Sequence, residues 1–181
     1  MSPIRFGVVG SGWRAEFFVR MARLLPDTFT CVGVVTRTAG RGAEVERAWG
    51  VPTVRAATEL EAPELVVVAT PWPVTPDAIR ELVARGVPVL AETPPAPDAD
   101  GLRALWSDVG SSGLVQVAEH SPYMPSHAAR IAAVQAGIIG EPTSVQISST
   151  HLYHAVGLIR RILGVGFEEV AVRATTTTER L

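Results

Sequence analysis

The chain contains no lysine and no asparagine: all 16 basic residues are arginine, set against 18 acidic residues in a length of 181. Without lysine there is no Schiff-base chemistry and no ammonium acid or base anywhere in the chain. A GC-rich coding sequence accounts for both absences without invoking chemistry. Cys31 is the only cysteine, which excludes a disulfide framework and a thiolate zinc site. Charge of either sign is not in excess, with a formal net of -2, and this argues against a nucleic-acid or polyanion surface. No apolar run approaches the ~18 residues of a membrane span. The opening "MSPIRFGVVG" enters a strand pattern at once, without a basic region or a cleavage site. A soluble, cytoplasmic protein with a small-molecule partner is the expectation, with no nucleic acid and no membrane involved.

What is present is apolar residues, 47% of the chain, arranged in alternating strand and helix patterns. "IRFGVVG" (4–10), "FTCVGVVTR" (29–37), "ELVVVATP" (64–71), "VPVLAETP" (87–94) and "GLVQVAEH" (113–120) read as strands, and "VPTV" as a short one at most. Helices are predicted over 11–25, 39–50, 76–85 and from Asp98, a capping residue, to about 108. Strands that are continuous apolar runs, separated by helices, mean a parallel sheet covered on both faces. The fold class is therefore α/β, a Rossmann-type doubly wound sheet over 1–120. "SPYMPS" marks a boundary. Residues 121–181 read as an incomplete α/β domain with an open sheet: helices over 126–137 and 151–164, and strands over 143–150 and 167–178. Val145 and Ile147 share a face of the first of these strands. His127 reads as a surface residue of its helix.

Between the first strand and first helix lies Gly10-x-Gly12-x-x-Ala15. The first glycine permits a tight turn, the second lets a pyrophosphate approach the backbone, and the small third residue lets helix and strand pack closely. Ser11, Trp13 and Arg14 complete the turn, and the helix N-terminus offers free N–H groups to an anion. An NAD site then wants a carboxylate at the end of the second strand. Thr36 and Arg37 stand there instead, with Arg41 nearby, a pattern suited to a 2′-phosphate. A solvated arginine is the plain alternative. NADP is the expected cofactor, with NAD possible.

Taken together, these stretches resemble the Gfo/Idh/MocA family of NAD(P)-dependent oxidoreductases. "ELVVVATPWPVTPDAIRELVARGVPVLAETP" is similar to the family segment that ends one strand in Thr-Pro and the next in Glu-Lys-Pro. "VAEHSPYMPSHAARIAAVQAGIIGEPTSVQIS" resembles the opening of the family's second domain, and "HAVGLIRRILG" a helix that begins with a catalytic histidine. The resemblance implies hydride transfer between a nicotinamide and the carbinol carbon of a sugar or polyol. It implies that Gly10, Ser11, Gly12, Trp13 and Arg14 hold pyrophosphate. Thr70 and Pro71 would run along the cofactor towards the nicotinamide, Glu92 matches the acid of Glu-Lys-Pro as a cofactor-side acid, and His120 would lie near the nicotinamide. Trp72, like Trp13, falls on a loop beside the expected cofactor, where an exposed aromatic tends to cover a ligand. His154 would be the catalytic base, with Glu92 contributing. The chain departs from the family at Thr93, where a lysine is usual, at Thr75, where a histidine is common, and at Thr150 and Gly157, where aspartates are common. It also ends where the family's second sheet continues.

Hydride transfer from an alcohol needs a base for the hydroxyl proton, and His154 is the candidate. Tyr123 and Tyr153 suit a sugar ring, or packing. His151 and His154 lie three apart on one face, but without cysteine or a nearby carboxylate no metal site is expected. The expected function is an NAD(P)-dependent oxidoreductase acting on CH–OH groups of a sugar-like or cyclic polyol, with a reduced catalytic set. It is expected to form a homo-oligomer through the C-terminal sheet. Two alternatives stay open: a dinucleotide-binding protein without turnover, redox-sensing or accessory, and a fragment of a longer oxidoreductase.

Overall fold

In the computed structural model, residues 2–150, 152–166 and 168–175 are described. The chain divides into two compact units, Met1–Glu119 and His120–Leu181.

The first unit is a six-stranded, all-parallel sheet in the order β3-β2-β1-β4-β5-β6. Its strands are β1 (Ile4–Val9), β2 (Phe29–Val35), β3 (Thr53–Val54), β4 (Leu65–Val68), β5 (Val89–Ala91) and β6 (Val115–Val117). The helices are α1 (Trp13–Leu24), α2 (Ala39–Trp49), α3 (Thr75–Ala84) and α4 (Ala99–Val109). Successive strand residues point to opposite faces, so an uninterrupted apolar run fills two cores at once. Phe6, Val8, Val34 and Val67 pack with Phe18, Val19, Val45 and Trp49 of α1 and α2. Val66, Val68, Val89 and Ala91 pack with Ile79, Leu82, Leu105 and Val109 of α3 and α4. Thr38 caps α2 through the Arg41 N–H, and Asp98 caps α4 through the Gly101 N–H. The doubly wound α/β fold follows from these patterns, and its carboxyl edge, with the switch between β1 and β4, is where such sheets bind ligands.

The second unit holds a short 3-10 turn at Ser121–Tyr123, α5 (Pro125–Gln135) and α6 (Leu152–Leu163). The strands expected over 143–150 and 167–178 are not formed among the described residues; Phe167 and residues 176–178 lie outside them. The alternation is nevertheless present: Val145 and Ile147 are half-buried while Ser144, Gln146 and Ser148 are exposed. A strand is defined by the ladder it shares, and 143–150 has the side-chain pattern without a ladder partner among the described residues. Residues 168–175 are exposed throughout.

His127 is a further correction. It is 8% exposed rather than a surface residue. Its Nδ1 lies 2.9 Å from the Ser121 carbonyl and its Nε2 3.4 Å from the Ser149 hydroxyl. Both ring nitrogens are engaged, and this allows a polar ring to be buried. No helix of the described residues is long and apolar enough to cross a membrane.

Candidate dinucleotide site

The turn after β1 has the geometry its glycines imply. Gly10 adopts φ +119°, and a Cβ built there would fall 2.2 Å from the Ala69 carbonyl oxygen. Only glycine tolerates both the conformation and the approach of the chain leaving β4. Gly12 is the N-cap residue of α1 and supplies no side-chain cap, so the first-turn N–H groups are left for an incoming acceptor. A Cβ at Gly12 would meet nothing within 4 Å, which leaves the approach to those groups open. Ala15 is fully buried against the strands, as the small third position requires. Trp13 is the first residue of α1 and is largely exposed.

An arginine of α2 clasps this turn. Arg41 donates from Nη2 to the Ser11 carbonyl at 2.6 Å and from Nε to the Ser11 hydroxyl at 3.2 Å, and its Nη1 pairs with Glu44 at 2.8 Å. At the end of β2 the two expected residues part company. Arg37 is exposed. Thr36 is 3% exposed, its hydroxyl 3.4 Å from the Thr38 carbonyl, and it lies where a Cβ on Gly42 would approach within 3.1 Å. Thr36 is thus sealed beneath α2, because the absence of a side chain at Gly42 lets the helix sit down on the strand end. A residue not foreseen from the sequence, Arg55, donates to the Arg37 carbonyl. Arg55 thus reaches the backbone of Arg37 at the end of β2, while Arg41 is turned to the neighbouring glycine turn. Arg55 lies just past the two-residue β3, and its nearness to β2 is visible only once that edge strand is paired.

Beyond β4, Thr70 is half-buried and Pro71 and Trp72 are exposed. Thr75, at the start of α3, is buried. Its hydroxyl lies 2.8 Å from the Thr70 hydroxyl and within reach of the Thr70 and Pro71 carbonyls, at 3.1 and 3.2 Å. At this position the threonine ties the β4 loop to α3. Beyond β5, Glu92 donates its N–H to the Val68 carbonyl at 2.9 Å. Its Oε1 accepts from Arg14 and its Oε2 lies 3.3 Å from the Thr93 N–H. The Thr93–Pro94 peptide is cis.

In the second unit, His120 precedes the 3-10 turn and is exposed, and His154 sits in the first turn of α6. Their rings meet edge-on with centroids 5.8 Å apart, and Tyr153 lies 4.4 Å from His154. Tyr123 carries Arg161 over its ring at 5.6 Å. No group of three or more His, Cys, Asp or Glu suited to a metal exists among the described residues. His151 lies outside them.

A strand–glycine turn–helix with open N–H groups at the switch point is the feature that defines a dinucleotide-binding sheet, and residues 4–120 match the GFO_IDH_MocA model, an oxidoreductase family with an NAD-binding Rossmann fold. The chain belongs to the Gfo/Idh/MocA family. Another relative is the inositol 2-dehydrogenase of Rubrobacter xylanophilus, 31% identical over 207 aligned residues, covering 98% of this chain and 57% of that protein. The chain thus spans little more than half the length of that Gfo/Idh/MocA relative. The scyllo-inositol dehydrogenase of Lactobacillus casei, solved with bound NAD(H) and scyllo-inositol, superposes with a TM-score of 0.74 at 16% identity, over 90% of this chain and 57% of that one. The WlbA dehydrogenase of Bordetella pertussis, in complex with NADH and UDP-GlcNAcA, gives 0.67 at 20% identity, over 77% and 44%. These likenesses show the shared fold.

Proposed function

We infer that the protein is an NADP(H)-preferring oxidoreductase acting on the CH–OH group of a sugar-like or cyclic polyol. The observation that carries the cofactor half is the open, uncapped turn at Gly10–Gly12, with the exposed Arg37 at the end of β2 and Arg55 held against its carbonyl. The residues present fit a dinucleotide: backbone N–H groups for the pyrophosphate, and Arg37 and Arg55 for a 2′-phosphate, with Arg41 holding the turn in shape. The buried Thr36 leaves the phosphate contact to the arginines. Thr70, Pro71, Trp72, Glu92 and His120 remain the candidates for the rest of the cofactor. The substrate class rests on the inositol 2-dehydrogenase relative.

When bound, the nicotinamide would accept or return the hydride. The chain must then move a proton. Thr93 has no group that titrates near neutral pH, and no lysine exists to stand in. His154 is the residue assigned to take the hydroxyl proton. Losing a positioned base costs about 10²–10⁴-fold in rate. We expect His154→Ala to remove turnover on a polyol panel while leaving NADPH affinity unchanged. Arg37→Ala should reduce the NADPH over NADH preference by about tenfold or more, the loss expected of a charge-assisted hydrogen bond. An unchanged NADPH/NADH ratio would overturn the cofactor preference. Turnover indifferent to His154→Ala would overturn the base assignment.

A dinucleotide-binding protein without turnover is the second reading. It is favoured by the state of Glu92, whose carboxylate oxygens are already engaged by Arg14 and the Thr93 N–H, and by the lack of lysine. Cofactor binding with no oxidation of any polyol, unrelieved by Thr93→Lys, would select it. Residues 121–181, which fall in the second unit, are assigned to substrate binding and self-association. The alternating burial of 143–150 supports a homo-oligomer in which it acquires its strand partner, and light scattering tests this.

A further inference from the structure

We propose that Arg14 is a positioning residue acting through Glu92, and that the two form a charge-balanced pair facing the nicotinamide half of the dinucleotide. This rests on the cofactor reading above. Arg14 lies in the turn, where its backbone N–H belongs to the anion site, but its side chain is committed elsewhere. Nη2 pairs with Glu92 Oε1, and the guanidinium carbon lies 5.1 Å from the ring centroids of both Trp13 and Phe17. The other Glu92 oxygen faces the Thr93 N–H at 3.3 Å. Side-chain exposure is 26% for Arg14 and 11% for Glu92. A guanidinium held by a carboxylate and two rings is fixed in direction, and Glu92 is held by it in turn. The Glu92 side chain is thus held at both oxygens rather than free to swing.

The topology says which half of the ligand the pair faces. In this class of sheet the ribose next to adenine is read at the end of β2, on one side of β1. Glu92 follows the end of β5, two strands away on the other side. A dinucleotide whose pyrophosphate crosses the Gly10–Gly12 turn therefore carries its nicotinamide half towards Glu92. The oxidised nicotinamide is a cation and the reduced one is neutral. An intact Arg14–Glu92 pair presents no net charge to either. Glu92→Gln leaves a guanidinium alone and disfavours the oxidised form; Arg14→Met leaves a carboxylate alone and favours it.

The test is the ratio of NADP+ to NADPH dissociation constants, measured by calorimetric titration of the full chain. We expect Glu92→Gln and Arg14→Met to move the ratio in opposite directions by about fivefold each, the size expected for unit charges about 6 Å apart in a partly screened site. The double variant should return to within about twofold of the original ratio, by the same charge balance. Arg14→Gln serves in place of Arg14→Met should the latter not fold. An Arg14 substitution that weakens both forms equally, as loss of a direct phosphate contact would, overturns the proposal, as does movement of both single variants in one direction. A wild-type protein that binds neither form overturns the dinucleotide reading itself, and the proposal with it. A protein that binds both with an unmoved ratio overturns the proposal alone.

Discussion

The two units of this chain are built from the same kinds of sequence pattern and end in different conditions. In Met1–Glu119 every strand has a hydrogen-bonded neighbour, and two apolar cores fill the two faces of the sheet. In the second unit, among the described residues, two helices pack around Ile131 and Leu158, the strand-patterned 143–150 runs without a ladder, and Ile138 and Ile139 stand exposed at a turn. The difference teaches that an amphipathic pattern specifies which face of a segment is buried, while regular structure also needs a partner for the backbone. Helices carry their hydrogen bonds within themselves and so form in both units. Strands do not, and among the described residues the first unit supplies their partners and the second does not.

Matched truncations at fully buried positions give the largest effect expected from this contrast. Ile79 is 0% exposed between α3 and the sheet, and Leu158 is 1% exposed in the second unit. Ile79→Ala removes side-chain volume from a core with little room to relax and should cost about 2–5 kcal/mol, read as a lower midpoint in urea with an unchanged slope. Leu158→Ala should leave the main transition in place. Equal losses from both would break the comparison and show that the second unit unfolds together with the first.

Gly10→Ala sharpens the same contrast at the site. The added methyl meets the Ala69 carbonyl in a conformation that L-residues rarely adopt, so the chain leaving β4 must shift. We expect stability to fall by about 1–3 kcal/mol, the cost of a residue forced into a sparsely populated region, with dinucleotide affinity lost. Gly137, which also has a positive φ, has nothing within 4 Å of a built Cβ. Gly137→Ala should show the backbone strain without the clash, and no effect on binding. Undiminished NADPH affinity in Gly10→Ala would sink the placement of the site.

How far the residues announced this arrangement depends on the range over which each interaction acts. The glycine turn was legible because its geometry is local. The parallel sheet was legible because strands buried on both faces are unbroken apolar runs, although their ends were not: 64–71 shortens to Leu65–Val68, since a ladder reaches only as far as its neighbours do. Along 11–25 the large apolar residues at helical spacing are Phe17, Phe18, Met21, Leu24 and Leu25, yet only Phe18 of these is buried, and the rest of the buried face of α1 is Ala15, Val19 and Ala22. Alanines, small enough for close packing, decide that face and weigh little in a count of large apolar residues. The pairing of Arg14 with Glu92 spans 78 positions, and the burial of His127 rests on a carbonyl six residues away. Neither leaves a periodic trace. Arg55 was missed for the same reason, as its place at the end of β2 exists only after the edge strand docks.

The smallest effect is expected at that edge, where the first unit comes nearest to the condition of the second. The strand β3 has two residues, and Glu46 of α2 helps hold it, accepting from the Thr53 N–H and the Thr53 hydroxyl, both at 2.9 Å. These hydrogen bonds, the backbone one foremost, hold the Glu46 carboxyl below its ordinary value near 4.5. The sign of the consequence follows from linkage. A carboxyl that loses its proton more readily in the folded state than in the unfolded chain adds stability above its ordinary value. That stability is lost as pH falls through the lower, folded-state value. Glu46 is open to solvent, so the contribution is small. Glu46→Gln keeps an oxygen that can accept from Thr53 but removes the charge. It should lower the melting temperature slightly at pH 7, and the difference from wild type should shrink as pH is taken below 4.5 and close in stronger acid. A difference that persists unchanged across that range would mean that packing, not the charged acceptor, is what Glu46 contributes, and the edge would then be held as the rest of the unit is, by its core.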